Sequence, residues 1–291
     1  MQSVSDAFGI VIPAHNEERA LARCLEALVS QESPGEVELV VVPNGCDDRT
    51  ADVARGFEAR LPVGWTLKVI ECPAAQKSLA LNAGDRALAA GPRMYLDADI
   101  LLEPTALRRL AEALRADAPR LVQPQIAAVT GPTSSRAVRS FVRVWSSLPY
   151  VRNQVLGVGC FAVNAEGRDR WDEFPDIGAD DTYVRFRFAG DQKQVVPGAT
   201  MKVFFPASTG ELIRVRARWC KLSRDARGRE ATLPPGESGR WKRALKYLVA
   251  RPGMWIDGLF FSIIWICAVA LSFAPAGGAS WARADSSSVR A

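Results

Sequence analysis

Two acidic residues follow an apolar segment in Arg93-Met94-Tyr95-Leu96-Asp97-Ala98-Asp99. The apolar run predicts a buried strand that presents both carboxylates at its carboxyl end. Two carboxylates separated by one alanine repel each other and take up protons unless a cation lies beside them. Mg²⁺ or Mn²⁺ prefers oxygen ligands and completes its shell with substrate phosphates. The pattern therefore favours a metal held against a diphosphate, although an isolated triplet of this kind is also typical of a solvated turn.

A second acidic pair, Asp180-Asp181, stands where a helix is predicted to begin. The exposed amides and the dipole of a helix N-terminus stabilise anions, so simple capping accounts for the pair as well as a chemical role does.

Strands alternate with helices through the first hundred residues. The patterns predict strands over 8–13, 37–42 and 66–70, and helices over 18–30 and 77–90. Such an order indicates an α/β fold with a mostly parallel sheet, flanked on both faces by helices that form right-handed crossovers. Ligands of such sheets bind beyond the carboxyl ends of the strands. The loops Pro13–Glu17, Asn44–Asp47 and Asp97–Asp99 should meet at that edge.

The second half is less regular. We predict strands over 121–129 and 155–163 and a helix over 135–147, followed by a helix from Ser208 to Leu222. The strand over 155–163 contains Gly157 and Gly159, which indicate that another segment or a ligand approaches it closely.

Composition is that of a globular protein, with 48% hydrophobic and 24% charged residues among 291. Basic residues concentrate between Arg214 and Arg251, which indicates an anionic surface as a partner. The six cysteines form no CxxC pair and there is one histidine, so neither a zinc site nor a disulfide framework is expected. The amino terminus has no pattern of a secretory signal, and we expect a reduced, cytoplasmic main domain.

The carboxyl-terminal part contains membrane-type segments. Residues 241–250 alternate bases with apolar and aromatic side chains, as in a helix that lies on a membrane surface. Residues 258–282 carry no charge and are long enough to span a membrane, although a segment lying in the interface is the open alternative. If the segment spans, its basic flank places the large domain in the cytoplasm. We expect the membrane surface, and not a nucleic acid, to be the anionic partner.

Five short motifs resemble, in order and spacing, the family 2 glycosyltransferases, which have the GT-A fold. The similarity covers about residues 8–220. The motifs are Val11 to Glu18, Asn44 to Asp48, Lys77 with Leu79 to Gly84, Asp97 to Asp99, and Asp180-Asp181.

The resemblance implies a single GT-A domain over 1–222. The composition predicts a basic linker with an interfacial amphipathic segment over 223–256, a membrane helix over 257–282 and a tail over 283–291. The resemblance also implies roles for individual residues. Asp99 would hold the metal, and Asp181, or else its neighbour Asp180, would be the general base. The nucleotide sugar would contact Pro13, Ala14, His15, Glu17, Asn44, Lys77, Asp97 and Ala98. The acceptor side would be formed by Gly157, Gly159, Arg218 and Trp219.

The implied activity is inverting, metal-dependent transfer of a sugar from a UDP- or GDP-linked donor to a saccharide or lipid-linked acceptor, at the cytoplasmic face of the inner membrane. Val215 stands where processive polysaccharide synthases of this family have the glutamine of QxxRW, ahead of Arg218-Trp219. This departure favours the addition of one sugar per encounter.

Two other functions fit parts of the sequence. A sugar nucleotidyltransferase shares this sheet topology but would carry a glycine-rich basic loop after the first strand, which Pro13–Glu17 is not. A catalytically inactive, membrane-tethered scaffold protein would have no reason to retain Asp97, Asp99 and Asp181.

Overall fold

The computed structural model describes residues 7–176, 178–229 and 240–274. The chain packs as two compact units. Unit 1 comprises Met1–Gln125 and Val155–Lys202, and unit 2 comprises Ile126–Gln154 and Val203–Ala291. The predicted boundaries at residues 222, 256 and 282 follow sequence composition and stay predictions.

Eight strands and most of the shorter helices build unit 1, and two of the strands continue into unit 2. The strands are β1 (Phe8–Ala14), β2 (Val37–Pro43), β3 (Trp65–Val69), β4 (Arg93–Leu96), β5 (Leu101–Leu102), β6 (Leu121–Thr130), β7 (Cys160–Val163) and β8 (Lys193–Phe205). The first helices are α1 (Glu18–Val29), α2 (Thr50–Arg55), α3 (Lys77–Ala87) and α4 (Ala106–Ala113). The remaining helices are α5 (Arg136–Ser147), α6 (Pro149–Asn153), α7 (Ala165–Arg168), α8 (Asp180–Arg185), α9 (Thr209–Arg229), α10 (Arg240–Val249) and α11 (Trp255–Leu271).

The strands form one sheet in the order β3-β2-β1-β4-β7-β6-β8-β5. Strands β1 to β4 are parallel, whereas β7 pairs antiparallel with β4 and β6, and β5 pairs antiparallel with β8. The α/β prediction is therefore confirmed, with a mixed sheet in which the predicted parallel part is its first half. The parallel part is the one that aligns the strand ends carrying the predicted motifs.

The core of unit 1 lies between the sheet and the segments before and after α8. Tyr95 of β4 packs edge-on against Phe174, with 5.1 Å between ring centroids, and lies 5.0 Å from the ring of Phe161. Its hydroxyl donates to Asp85 at 2.8 Å, and Asp85 also pairs with Arg93 at 2.7 Å and Arg168 at 2.9 Å. A buried carboxylate is stable only when paired in this way, so the network fixes β4 just before its acidic end.

Unit 2 has an aromatic core of its own. Phe141 of α5 stacks on Phe261 of α11, with centroids 5.0 Å apart, and Trp145 lies 5.3 Å from Phe205. The guanidinium of Arg216 on α9 lies over three of these rings, at 4.9 Å from Phe141 and Trp145 and 5.7 Å from Phe205. Burial lowers the pKa of Arg216 to about 10. The side chain is still charged at neutral pH, and the rings stabilise that charge.

Two predicted segments differ from the structure. The strand expected over 155–163 begins only at Cys160, because Gly157 and Gly159 have φ of 82° and 67° and turn the chain. Helix α9 continues to Arg229, past its predicted end at Leu222. Within the described residues, one stretch, Pro252–Leu271, is long and apolar enough to cross a membrane. The rest of the predicted membrane helix, 275–282, lies outside the described residues.

Candidate active site

The first part of the site is formed where β1 and β2 end. Pro13 and Ala14 belong to β1 itself and are buried, with Ala14 beside Pro43 in the parallel register. His15 follows directly, and its Nδ1 donates to the carbonyl oxygen of Asn44 at 2.7 Å.

Asn44 directly follows β2 and is completely buried. Neither its Nδ2 nor its Oδ1 hydrogen-bonds to any residue that the structure describes. An amide without partners costs stability when buried, so such residues are often retained for a ligand or a water.

The loop after β1 is fastened to the loop after β2. Asn16, with φ of 52°, accepts a hydrogen bond from the amide of Asp47 at 2.9 Å through its Oδ1. The amide of the buried Glu17 donates to Oγ1 of Thr50, also at 2.9 Å. These bonds place the two predicted loops side by side at the sheet edge.

Lys77, the first residue of α3, joins the two acidic motifs. Its Nζ lies 2.8 Å from Oδ1 of Asp97, which follows β4, and 2.9 Å from Oδ1 of Asp180, which opens α8. All three side chains are largely buried, and that of Asp180 is 11% exposed. Two carboxylates that are distant in sequence therefore share one ammonium group, which offsets their mutual repulsion.

Ala98 is buried and Asp99 is half-buried beyond it. Burial, with a smaller contribution from the Asp99 carboxylate, raises the pKa of the Cys24 thiol on α1, so Asp99 lies close to that helix. The backbone of this turn is fixed by the amide of Asp97, which donates to the carbonyl of Gly159 at 2.7 Å. Gly159 thus supports the acidic turn directly.

The residues of the turn fit a divalent cation of a particular kind. Among the described residues, no group of three histidine, cysteine, aspartate or glutamate side chains is placed to enclose a metal. Mg²⁺ and Mn²⁺ are commonly bound by one or two carboxylates together with substrate phosphates, which is the donor set that Asp99 and its turn supply. The assignment of a metal to Asp99 stays a prediction.

Asp181 lies beside Asp180 in the first turn of α8. Burial, and secondly the charge of Asp180, raise the pKa of Asp181 to about 6, while Arg185 and Lys77 act in the opposite direction. A carboxylate with such a pKa accepts a proton near neutral pH more readily than an ordinary aspartate.

Gly157 is shaped for contact with Asp181. A Cβ on Gly157 would lie 2.4 Å from Cβ of Asp181, and the φ of Gly157 is 82°. Only glycine allows the two backbones to approach this closely.

Two buried polar residues for which the sequence predicts no role hold this side of the site. Gln123 of β6 accepts hydrogen bonds from the amides of Leu156 at 2.8 Å and Gly157 at 2.6 Å. Asn82 of α3 donates to the carbonyl of Phe174 at 3.0 Å and accepts from its amide at 2.7 Å. Gln123 could be found from the sequence because it is a polar residue inside an apolar strand. Asn82 could be found because it lies within the motif that follows Lys77.

Arg218 and Trp219 lie on α9 in unit 2, where both are half-buried. The ring of Trp219 lies 5.0 Å from the guanidinium of Arg216. Their assignment to the acceptor side stays a prediction.

Residues 9–162, more than half of the chain, match the family described as glycosyl transferase family 2. A curated relative, validoxylamine A glucosyltransferase from Streptomyces hygroscopicus subsp. limoneus, is 32% identical over 114 residues. That match covers 39% of this chain and 25% of the relative, so it spans about a quarter of that protein's length.

Solved structures share the fold. The mannosyltransferase PcManGT from Pyrobaculum calidifontis, solved in complex with GDP-Man and Mn²⁺, superposes with a TM-score of 0.60 at 19% identity, over 94% of this chain and 90% of that one. S. aureus TarS 1-349 gives a TM-score of 0.54 at 13% identity, over 90% of this chain and 81% of that chain. The predicted GT-A fold is confirmed by these likenesses. With the strand-end motifs gathered at one edge and the family match spanning them, this chain belongs to glycosyl transferase family 2.

Proposed function

We propose that this chain is an inverting, metal-dependent glycosyltransferase. It moves a sugar from a UDP- or GDP-linked donor to a saccharide or lipid-linked acceptor. The reaction takes place at the cytoplasmic face of the inner membrane. The observation that carries the proposal is the contact of one ammonium group, that of Lys77, with both Asp97 and Asp180. The contact brings the acidic motif after β4 and the acidic pair that opens α8 to one edge of the sheet.

The donor side is formed by the ends of β1, β2 and β4. The side chain of Asn44, unpaired among the described residues, offers a donor and an acceptor that match the adjacent N–H and C=O groups on the edges of uracil and guanine. Lys77 would provide a positive charge for the diphosphate, and Asp99 would hold Mg²⁺ or Mn²⁺. A bound divalent ion stabilises the negative charge that develops on a departing nucleoside diphosphate.

Two relatives by fold support this donor class. PcManGT was solved with GDP-Man and Mn²⁺, and TarS 1-349 was solved with UDP-GlcNAc. Their ligands differ in base and sugar, so the fold accommodates both kinds of donor.

Asp181, and not Asp180, is the proposed general base. Asp180 is engaged with Lys77, whereas the raised pKa of Asp181 suits it to accept a proton. As the acceptor oxygen bonds to the anomeric carbon, its proton passes to Asp181, and the bond from that carbon to the diphosphate breaks with its electron pair. A single displacement of this kind inverts the configuration at the anomeric carbon.

Unit 2 supports the membrane part of the proposal. It contains the apolar stretch Pro252–Leu271 and exposed basic residues at Arg243, Lys246 and Arg251. A basic flank beside an apolar helix is attracted to the anionic lipids of the cytoplasmic leaflet.

A turnover assay of the full chain tests the proposal. A panel of UDP- and GDP-sugars is incubated with the enzyme, with and without membrane lipid, in Mn²⁺, in Mg²⁺ and after metal removal by EDTA. We expect transfer that EDTA abolishes and added Mn²⁺ restores, and a product whose anomeric configuration, read by NMR, is opposite to that of the donor. Activity that persists in EDTA, or retention of configuration, would contradict the proposal. A complete absence of turnover with every donor would favour the inactive scaffold.

A further inference from the structure

The two units differ strongly in charge. Unit 2 contains 18 lysines and arginines against 6 aspartates and glutamates, a net charge of +12, whereas unit 1 contains 19 against 26, a net charge of −7. The excess positive charge of the chain therefore belongs entirely to the unit that carries α11. A basic unit of this kind is attracted to an anionic surface.

One face of α11 is part of the core of unit 2. Its buried residues recur at the spacing of a single helix face, and they are Asp257, Gly258, Phe261, Ile264 and Ala268. Because this face packs against protein, it is not available to lipid.

Both ends of α11 are fastened to neighbouring helices of unit 2. At its start, Asp257, which is 7% exposed, pairs with Nη1 of Arg143 on α5 at 2.7 Å. Just beyond its end, the guanidinium of Arg224 on α9 donates to the carbonyl oxygen of Ser272 at 2.7 Å and to its hydroxyl at 3.1 Å. Passage through a bilayer as a separate helix would break these contacts and leave Asp257 without its partner.

The opposite face of α11 is apolar and exposed. Ile256, Leu259, Ile263 and Ile266 follow each other at intervals of three and four residues, with exposures of 76%, 61%, 49% and 61%. No charged residue occurs between 258 and 274. We call these four residues the outer stripe of α11.

The length of the helix is compatible with either arrangement. The 17 residues of α11, rising about 1.5 Å each, extend over about 25 Å, and the stretch Pro252–Leu271 is long enough to cross a bilayer whose hydrocarbon core is about 30 Å thick. A helix lying parallel to the surface needs no such length, because only one face enters the lipid.

We propose that α11 lies in the plane of an anionic lipid surface, with its outer stripe in the lipid and its buried face held in unit 2, and does not cross the membrane. The inference deepens the proposed function and rests on its membrane part. The basic residues beside the helix, exposed at Arg243, Lys246 and Arg251, would meet anionic headgroups.

The topology is tested by labelling both ends of α11. Gly253→Cys and Phe273→Cys are made separately in the full chain. A Cβ added at Gly253 would meet no other atom within 4 Å, and Phe273 is 68% exposed. Sealed inside-out vesicles from expressing cells are treated with a membrane-impermeant maleimide, and labelling at each position is read by peptide mass. We expect both positions to react before lysis, to extents within about twofold. Labelling of position 273 only after detergent is added would show a span and overturn the inference.

The outer stripe is tested by vesicle co-sedimentation of the full chain. With phosphatidylcholine vesicles that contain phosphatidylglycerol, we expect Leu259→Glu to lower binding at least tenfold. Val63→Glu, which places the same charge at a fully exposed apolar residue of unit 1, should leave binding unchanged. Equal binding by both variants, wild-type binding that is independent of phosphatidylglycerol, or a stripe covered by a second copy in a stable dimer would each overturn the inference.

Donor hydrolysis separates this inference from the proposed function. We expect Leu259→Glu to hydrolyse the nucleotide sugar at the wild-type rate in Mn²⁺. If the hydrolysis rate is unchanged, a loss of vesicle binding is due to α11 and not to the donor site. A wild-type chain without Mn²⁺-dependent hydrolysis counts against the proposed function, whatever the topology of the helix.

Discussion

Unit 1 and unit 2 hold buried charge in different ways. In unit 1, carboxylates from distant parts of the chain converge on strand ends, and Lys77 stands between Asp97 and Asp180. In unit 2, the buried Arg216 lies over the rings of Phe141 and Trp145.

We infer from this difference that the charged groups around Lys77 serve to bind a ligand, whereas Arg216 serves to pack the core of unit 2. Lys77 and its acids are on loops and helix starts, where, under the proposed function, a diphosphate or a metal would bind beside them. Arg216 is enclosed by rings inside a helical core, and a cation held in this way is suited to packing. We expect substitutions at the first site to reduce catalysis and substitutions at the second to affect mainly stability.

The largest effect is expected at Asp181. Asp181→Asn removes the proposed base, and kcat should fall by about 10²- to 10⁴-fold, as is typical for the loss of general base catalysis. Asp180→Asn keeps the base and removes one partner of Lys77, so we expect about a tenfold loss. The comparison is made by steady-state kinetics after both variants are shown to have wild-type circular dichroism. If Asp180→Asn is the more damaged variant, the two roles are reversed.

A smaller loss is expected from Gly157→Ala. The added Cβ would meet Cβ of Asp181 at 2.4 Å and displace it, and a shift of about 1 Å at a reacting group can cost about 100-fold in rate. Gly198→Ala is the matched control, because Gly198 has φ of 76° but its added Cβ would meet the flexible end of Arg109. Similar kcat values for the two variants would mean that backbone strain, and not the position of Asp181, governs the rate.

The pH dependence should follow Asp181. Because the base must be deprotonated, the rate should fall about tenfold per pH unit below pH 6 and level off above it. Burial and Asp180 raise the pKa of Asp181, while Arg185 and Lys77 lower it, so Asp180→Asn should move the inflection to lower pH. A rate that does not change between about pH 5 and 8, where such a group titrates, would exclude Asp181 as the base.

The smallest effect is expected in unit 2. Arg216→Met replaces a buried cation by an apolar side chain of similar length, and the change in the free energy of unfolding should be within about 2 kcal/mol, since such replacements are often neutral. Donor hydrolysis should not change. Urea denaturation measures the free energy of unfolding, and Arg214→Met, at an exposed position, is the control. If Arg216→Met loses donor hydrolysis and Arg214→Met does not, Arg216 is a ligand-binding residue. The contrast between the two units would then not hold.

The repeating strand and helix units could be predicted from sequence because local periodicity determines them. Strands β1 and β2 and helix α1 match the predicted ranges to within one residue at each end. Helix α3 ends at Ala87, three residues before its predicted end, and Leu88 is already extended. The following Gly91-Pro92 pair explains why no helical pattern continues there.

The site could be predicted only as a set of loops. That Lys77 contacts both Asp97 and Asp180 depends on packing between segments that are distant in sequence, which no local pattern encodes. The choice between Asp180 and Asp181 was open for the same reason, because it depends on which carboxylate reaches the lysine. The fit of Gly157 against Asp181 likewise requires the three-dimensional arrangement.

The proposed function requires the acidic edge of unit 1 to bind a nucleoside diphosphate together with a divalent ion. Calorimetric titration of the full chain with UDP and with GDP, in the presence and absence of Mn²⁺, tests it most directly. We predict that Mn²⁺ tightens binding of one of the two nucleotides at least tenfold in the wild type, and that Asp99→Asn loses this gain. Equal nucleotide affinity with and without Mn²⁺, or the same Mn²⁺-dependent gain in affinity in Asp99→Asn as in the wild type, would contradict the proposed function.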